Sequence, residues 1–134
     1  MKELRVKAEI NNLDDVILFI GEILNNTLCT FKQRFAIEEA VEEIFVNISK
    51  YAYYPNIGEA LIKVNLEKDY IEITFIDSGI EYNPLEKEDP DINLSVDDRP
   101  IGGLGIFMVK NLMDEVKYKY EDNHNILIIK KKLG

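Results

Sequence analysis

Three short stretches carry residues whose types and spacing can do chemistry: Glu43 and Asn47 in "EIFVN", Asp77 and Gly79 in "DSG", and Gly102 to Gly105 in "GGLG". In a helix, a spacing of four sets two side chains about 40° apart on successive turns. Glu43 can then act as a base, and Asn47 as an oxygen ligand for a hard cation such as Mg²⁺. The plainer alternative is a charged helix face with an Asn satisfied at the core margin. Asp77 follows "YIEITFI", in which Ile71, Ile73 and Phe75 alternate onto one face, and it falls on the same parity. A carboxylate there must find donors, because burying it unpaired is costly. One solution is recognition of an exocyclic amine, with Gly79 permitting close approach. The other is a turn cap, since Asp-x-Gly after a strand is common turn chemistry. "GGLG" stands before a helical pattern, where glycines bare backbone N–H groups to a phosphate. It fits neither the P-loop nor the strand-first dinucleotide motif, and a hinge is the alternative.

The elements that must position these residues follow from periodicity. "KELRVKAEI" alternates Leu4, Val6 and Ala8 as a strand. "NNLDDVILFIGEILNNTL" spaces Leu13, Val16, Ile17, Ile20, Ile23 and Leu24 as a helix capped by Asn11 or Asn12. Thr30 and Gln33 form a capping box that opens a second helix, "QRFAIEEAVEEIFVNISKYAY", ended by Pro55. Its apolar stripe is Ile37, Ala40, Val41, Ile44 and Ile48, with Asn47 on the flank and Glu43 just outside. "GEALIKVNLEKDYIEITFID" predicts a hairpin turning near Lys68 and Asp69, with Ala60, Ile62, Val64 and Leu66 inward. Periodicity is lost from Ser78 to Ile101, where Pro84, Pro90 and Pro100 fall; so long a loop is usually functional or mobile. "GGLGIFMVKNLM" predicts a short helix, and "EVKYKYEDNHNILIIKKK" a second hairpin turning around Asn123 to Asn125. The order β-α-α-β-β-loop-α-β-β predicts an α+β two-layer sandwich, a mostly antiparallel mixed sheet with helices on one face.

Composition narrows the function. The 134 residues suit a single domain, 1–134, and 46% hydrophobic residues supply a core. Sixteen basic and 25 acidic residues give a formal charge of −9, which argues against direct nucleic-acid or anionic-membrane binding. One Cys, Cys29, makes no internal disulfide, and one Cys with one His, His124, makes no zinc site. Cys29 reads as a small core residue and His124 as a solvated turn residue. No apolar run approaches the ~20 residues of a membrane span, so a soluble, reducing, cytoplasmic setting is expected.

Taken together, these motifs resemble those of the GHKL ATPase superfamily, and within it the anti-sigma-factor serine kinases, over nearly the whole chain. "EIFVN" resembles the family's N box, "DSG" its D-x-G box with "YNPL" as the continuation, and "GGLGIFMVKNLMDEV" its last Gly box. The resemblance implies the Bergerat, or histidine-kinase-like, ATP-binding fold. It implies that Asn47 ligates Mg²⁺, that Glu43 is the general base toward a protein serine, and that Asp77 binds the adenine amine. Lys50, Gly79, Gly102, Gly103, Leu104 and Gly105 would complete the nucleotide site, and Arg99 would reach toward the γ-phosphate. Two positions depart from the family: Tyr51 stands where a His is frequent, and Glu81 where a Pro is frequent.

The resemblance further implies ATP and Mg²⁺ as cofactors and a STAS-type anti-anti-sigma protein as substrate. A sigma factor would be the competing partner, and a homodimer would form through the first strand, for which edge-strand addition is the physical route. The alternative from another class is a non-catalytic, nucleotide-gated binding module that sequesters a regulatory protein; Glu43 argues for the kinase, since a pure binder needs no base there. A detached ATP-binding domain of a histidine kinase fits less well, because the chain holds no phosphoacceptor helix pair.

Overall fold

Alternation decides the sheet. In β2 (Glu59–Leu66) and β3 (Tyr70–Asp77) every second residue is buried. Ala60, Ile62 and Val64 thus share one face with Ile71, Ile73, Phe75 and Asp77. β1 (Lys2–Lys7) pairs with β2, β5 (His124–Lys132) with β3, and β4 (Glu115–Glu121) with β5, giving the order β1-β2-β3-β5-β4. This computed structural model describes residues 1–86 and 104–134, with Leu104 described by its backbone.

All four pairings are antiparallel, so the sheet is not mixed among the described residues. The parallel pair that a crossover could have made is β3 with β4, which run in the same direction. β5 lies between them, and every hydrogen-bonded pair stays antiparallel.

Three helices cover the inner face: α1 (Leu13–Leu24), α2 (Phe31–Asn47) and α3 (Leu104–Leu112). Val16 and Ile20 of α1, Ile37, Val41 and Phe45 of α2, and Val109 of α3 are sealed against Ile62, Ile73, Phe75 and Ile129 of the sheet. Phe45 lies outside the stripe read from the sequence yet is fully buried. Leu66 was expected inward and is instead 44% exposed, because it is the last residue of β2, where the chain turns away.

Local chemistry sets the boundaries. Thr30 and Gln33 form the expected reciprocal capping box, at 3.1 and 2.9 Å. Asn12 occupies the cap position of α1, but its amide donates backward to the Lys7 carbonyl at 2.9 Å, fixing the exit from β1 instead. The second helix stops being α-helical at Asn47, well before Pro55. One wider π-helical turn, Ile48–Ala52, follows and ends at Tyr53. Such turns insert a residue and re-aim the chain, often at functional sites.

The last hairpin turns on Asp122 and Asn123, whose φ of 53° and 63° match a two-residue primed turn. The turn is therefore shorter than the sequence indicated. His124 and Asn125 lie within β5, and the His124 ring contacts the Asp122 carbonyl at 2.7 Å. Lys131 stands on the inner parity of β5 for a local reason. Its ammonium donates to the Leu112 carbonyl at 2.6 Å, capping the C-terminal end of α3 where a cation is favoured. Among the described residues no helix is long and apolar enough to cross a membrane.

Candidate functional site

A cavity of about 530 Å³ opens between α2, α3 and the end of the sheet. One wall is the last turns of α2 and the π turn, with Glu43, Asn47 and Tyr51; the facing wall is the start of α3, with Gly105 and Ile106. Phe75, Asp77, Tyr118, Asn125 and Leu127 make the floor, and Ile80, Glu81 and Tyr82, the segment after β3, close one side. An apolar cavity of this size with a few convergent polar groups is the usual form of a small-molecule site.

Helix geometry brings Glu43 and Asn47 to the cavity from successive turns. Asn47 is exposed, and Glu43 is half-buried against α3. The approach of α3 is close: a Cβ at Gly105 would overlap the Glu43 carboxylate. A side chain at position 105 would force the Glu43 carboxylate to move, and Gly105 lets the base candidate rest against the first turn of α3.

Asp77 and Asn125 are the buried polar residues of the described structure, 6% and 7% exposed. Asp77 Oδ1 accepts from the Gly79 N–H at 2.9 Å and from Asn125 Nδ2 at 2.9 Å. Oδ2 has no partner among the described residues. No enclosed side-chain oxygen or nitrogen there lacks one, so Oδ2 keeps access to the cavity that Asp77 lines. The turn-cap reading of "DSG" is met by Oδ1, which leaves Oδ2 toward the cavity. Gly79 does not line the cavity. A Cβ on it would strike the Ala52 carbonyl, the group that accepts from the Ile80 N–H at 2.9 Å. Gly79 therefore joins the turn after β3 to the π turn after α2. Tyr53 adds a second tie: its hydroxyl accepts from the Ser78 N–H at 2.8 Å and donates to the Glu59 carbonyl at 2.6 Å.

Asn125 escaped the sequence reading because it was assigned to a turn. Its signal was parity, since Asn125, Leu127 and Ile129 alternate inward and the register sets Asn125 opposite Asp77. Its amide is saturated. Oδ1 accepts from the Tyr82 N–H at 3.0 Å and from the Tyr118 hydroxyl, while Nδ2 donates to Asp77 Oδ1 and to the Ile80 carbonyl at 2.9 Å. Burial pushes the Tyr118 phenol above its ordinary value. The hydrogen bond with the Tyr82 backbone pulls the other way, and the Glu81 and Asp77 carboxylates add to the rise. Tyr118 thus stays protonated and remains a donor.

The remaining sequence candidates divide. Tyr51 and Glu81, the two departures from the family pattern, both line the cavity. Lys50 is exposed on the π turn and does not line it. Arg99, Gly102 and Gly103 lie outside the described residues, as does the side chain of Leu104. Cys29 is half-buried, and that burial raises its thiol pKa despite the nearby Arg34.

Comparison with known proteins agrees with this geometry. The family description "Histidine kinase-like ATPase domain" matches residues 6–131. The chain is similar to proteins named "Serine-protein kinase RsbW" from Bacillus mycoides (strain KBAB4), at 26% identity, and Bacillus cereus (strain B4264), at 27%. Each match runs over 132 residues, 96% of this chain and 82% of the relative. Among solved structures it is similar in fold to the RsbU and RsbW domains of Rv1364c from Mycobacterium tuberculosis. The TM-score is 0.65 at 15% identity, over 99% of this chain and 33% of that one.

Proposed function

Because this chain belongs to the histidine kinase-like ATPase domain family, we propose that it binds Mg-ATP in the cavity and transfers the γ-phosphoryl group to a serine of a partner protein. The observation that carries the proposal is the convergence of Glu43, Asn47, Asp77 and Gly105, from three separate motifs, on one cavity. The similarity to proteins named serine-protein kinases supports serine as the acceptor.

Asp77 Oδ2 is the acceptor for the adenine amine, and the flanking Phe75, Ile80 and Leu127 supply apolar surface for the base. Asn47 offers a neutral, hard oxygen beside the cavity, which fits Mg²⁺: in nucleotide sites that ion takes one or two protein oxygens and completes its shell with phosphates and water. When bound, Mg²⁺ would neutralise phosphate charge. Gly105 and Ile106 of the first turn of α3 line the same cavity, and the unpaired N–H groups of a helix's first turn favour anionic oxygens. Glu43 accepts the serine hydroxyl proton as the serine oxygen bonds to the γ-phosphorus and the bond to the β–γ bridging oxygen breaks, with ADP leaving. Positioning and charge neutralisation supply most of the acceleration in such transfers. The roles of Arg99, Gly102 and Gly103 rest on the Gly-box resemblance, and that of Lys50 on the N-box neighbourhood.

The substrate that this reading implies is a STAS-type anti-anti-sigma protein, with a sigma factor as the competing partner in the switch. Residues 1–134 act as a single domain, supported by one core shared by all three helices and the sheet. β1 is an edge strand, which supports dimer formation through it. Incubation with γ-labelled ATP and candidate STAS partners, read by intact mass, tests the proposal. A gain of one phosphoryl group on the partner is expected. Partner binding that depends on nucleotide but leaves the partner mass unchanged would instead make the chain a nucleotide-gated binding module.

A further inference from the structure

The acceptor facing the cavity is a single oxygen, and Asn125 makes it so. We propose that Asn125 is a specificity-determining residue: by saturating Asp77 Oδ1 it restricts Asp77 to one hydrogen bond to a base, which selects adenine over guanine. The inference rests on the reading of the cavity as a purine-nucleotide site.

A free carboxylate has two oxygens in a plane and pairs well with two parallel donors. Guanine presents such a pair on one edge, its ring N1–H and its 2-amino group, and an unencumbered Asp would take both. Adenine presents one exocyclic amine beside a ring nitrogen that is an acceptor, so it needs one carboxylate oxygen. Here Oδ1 already accepts two hydrogen bonds, from Gly79 N–H and from Asn125 Nδ2. Guanine would bring two parallel donors to one oxygen, which cannot meet both in line, and its second donor would be left poorly paired.

The orientation of the Asn125 amide follows from its neighbours. Nδ2 faces a carboxylate and a carbonyl, while Oδ1 faces a backbone N–H and a phenol. A flipped amide would set its donors against the Tyr82 N–H and its acceptor against Asp77. Asn125 also holds the segment beside the base, through the Ile80 carbonyl and the Tyr82 N–H, as a neighbouring strand would. With both hydrogens and both lone pairs engaged, its amide offers the ligand nothing directly. Asn125 therefore acts through Asp77.

The test is calorimetric titration of the whole chain with ATP, GTP and ITP, without partner. For the unmodified protein ATP binds tightest, and GTP binds no tighter than ITP, because the single acceptor leaves the 2-amino group without a good partner. Bidentate recognition would make GTP tighter than ITP by about tenfold or more, the worth of one further charged hydrogen bond. That result alone would overturn the inference. Asn125→Ala, checked by circular dichroism, narrows the ATP-to-GTP ratio by about tenfold or more on the same grounds. Asn125→Thr, a residue suited to a strand whose hydroxyl can donate to Oδ1, restores the ratio. Tyr53→Phe loosens the same turn without touching Asp77 and shifts both affinities together. A folded Asn125→Ala that keeps the unmodified ratio, or a Tyr53→Phe that narrows it equally, contradicts a specificity role. Failure of the unmodified protein to bind any purine nucleotide overturns the nucleotide reading itself, and this inference with it.

Discussion

Glu43 of α2 and Gly105 of α3 pack so closely that one methyl group at position 105 would overlap the Glu43 carboxylate. This contact joins two motifs lying 62 residues apart in the chain. It means that whatever binds at the start of α3 lies beside the base candidate. Glycine at 105 is thus explained by a neighbour's side chain; nothing about its backbone angles is needed.

Gly105→Ala should displace Glu43 or push α3 outward. The cost in stability is modest, about 1–3 kcal/mol by analogy with overpacked cores, since a carboxylate can swing aside. The larger effect falls on phosphoryl transfer, because misplacing a catalytic group by an ångström can cost about a hundredfold. Single-turnover transfer measured beside a thermal melt separates the two.

Gly79→Ala makes the opposite comparison. The obstacle there is the backbone carbonyl of Ala52, which also accepts from Ile80 and has no rotamer by which to yield. The turn after β3 must lift from the π turn, with a stability loss at or above the upper end of the ~1–3 kcal/mol overpacking range. A denaturation midpoint no lower than that of Gly105→Ala would contradict the distinction.

Asp77→Asn conserves shape and separates the two oxygens of Asp77. The new carbonyl oxygen can keep accepting from Gly79 and Asn125, so the fold survives with little change in melting temperature. Its NH₂ then faces the cavity where an amine must dock, donor against donor. ATP affinity should fall about 10- to 100-fold, as expected for loss of a hydrogen bond to a charged acceptor. Unchanged affinity in calorimetry would return "DSG" to being only a turn.

Tyr118 gives a pH dependence. Its folded pKa lies above the ordinary 10.0, chiefly through burial, so the folded state holds the phenol proton more tightly than the unfolded chain does. That contribution to stability is fully present below pH ~10 and is lost as pH rises toward the folded pKa. Tyr118→Phe should abolish this alkaline component. Melts between pH 8 and pH 11 check it, and an identical alkaline slope in the variant would contradict the assignment.

How much of this was legible in the sequence depends on the length scale of each interaction. Alternation in "YIEITFI" and the Thr30–Gln33 box are local, and both formed as read. Asp77 was legible as an anomaly of parity, but its resolution was not, because its partner Asn125 lies 48 residues away and is chosen by strand register. The turn read around Asn123 to Asn125 instead closes at Asp122 and Asn123, for a related reason. Asp122 and Asn123 are enough to turn the chain, and the polar character of Asn125 belongs to the site. Gly79 was read as allowing a close approach of backbone or ligand, and the Ala52 carbonyl is what approaches; Gly105 lines the cavity, and its missing side chain also leaves room for Glu43, a neighbour that only tertiary packing brings near. Phe45 was overlooked because a helix covered on two sides, by α1 and α3 as well as the sheet, buries more than one stripe.

The most direct test of the account compares Glu43→Gln with the unmodified chain, using γ-labelled ATP and a serine-bearing partner. The amide keeps the shape and the contact with Gly105 but cannot accept the serine proton. Transfer should fall by about 10²- to 10⁴-fold, the usual worth of a general base, while ATP affinity stays within about threefold, a free-energy change under 1 kcal/mol. Undiminished transfer to the partner would contradict the assignment of Glu43 as the base.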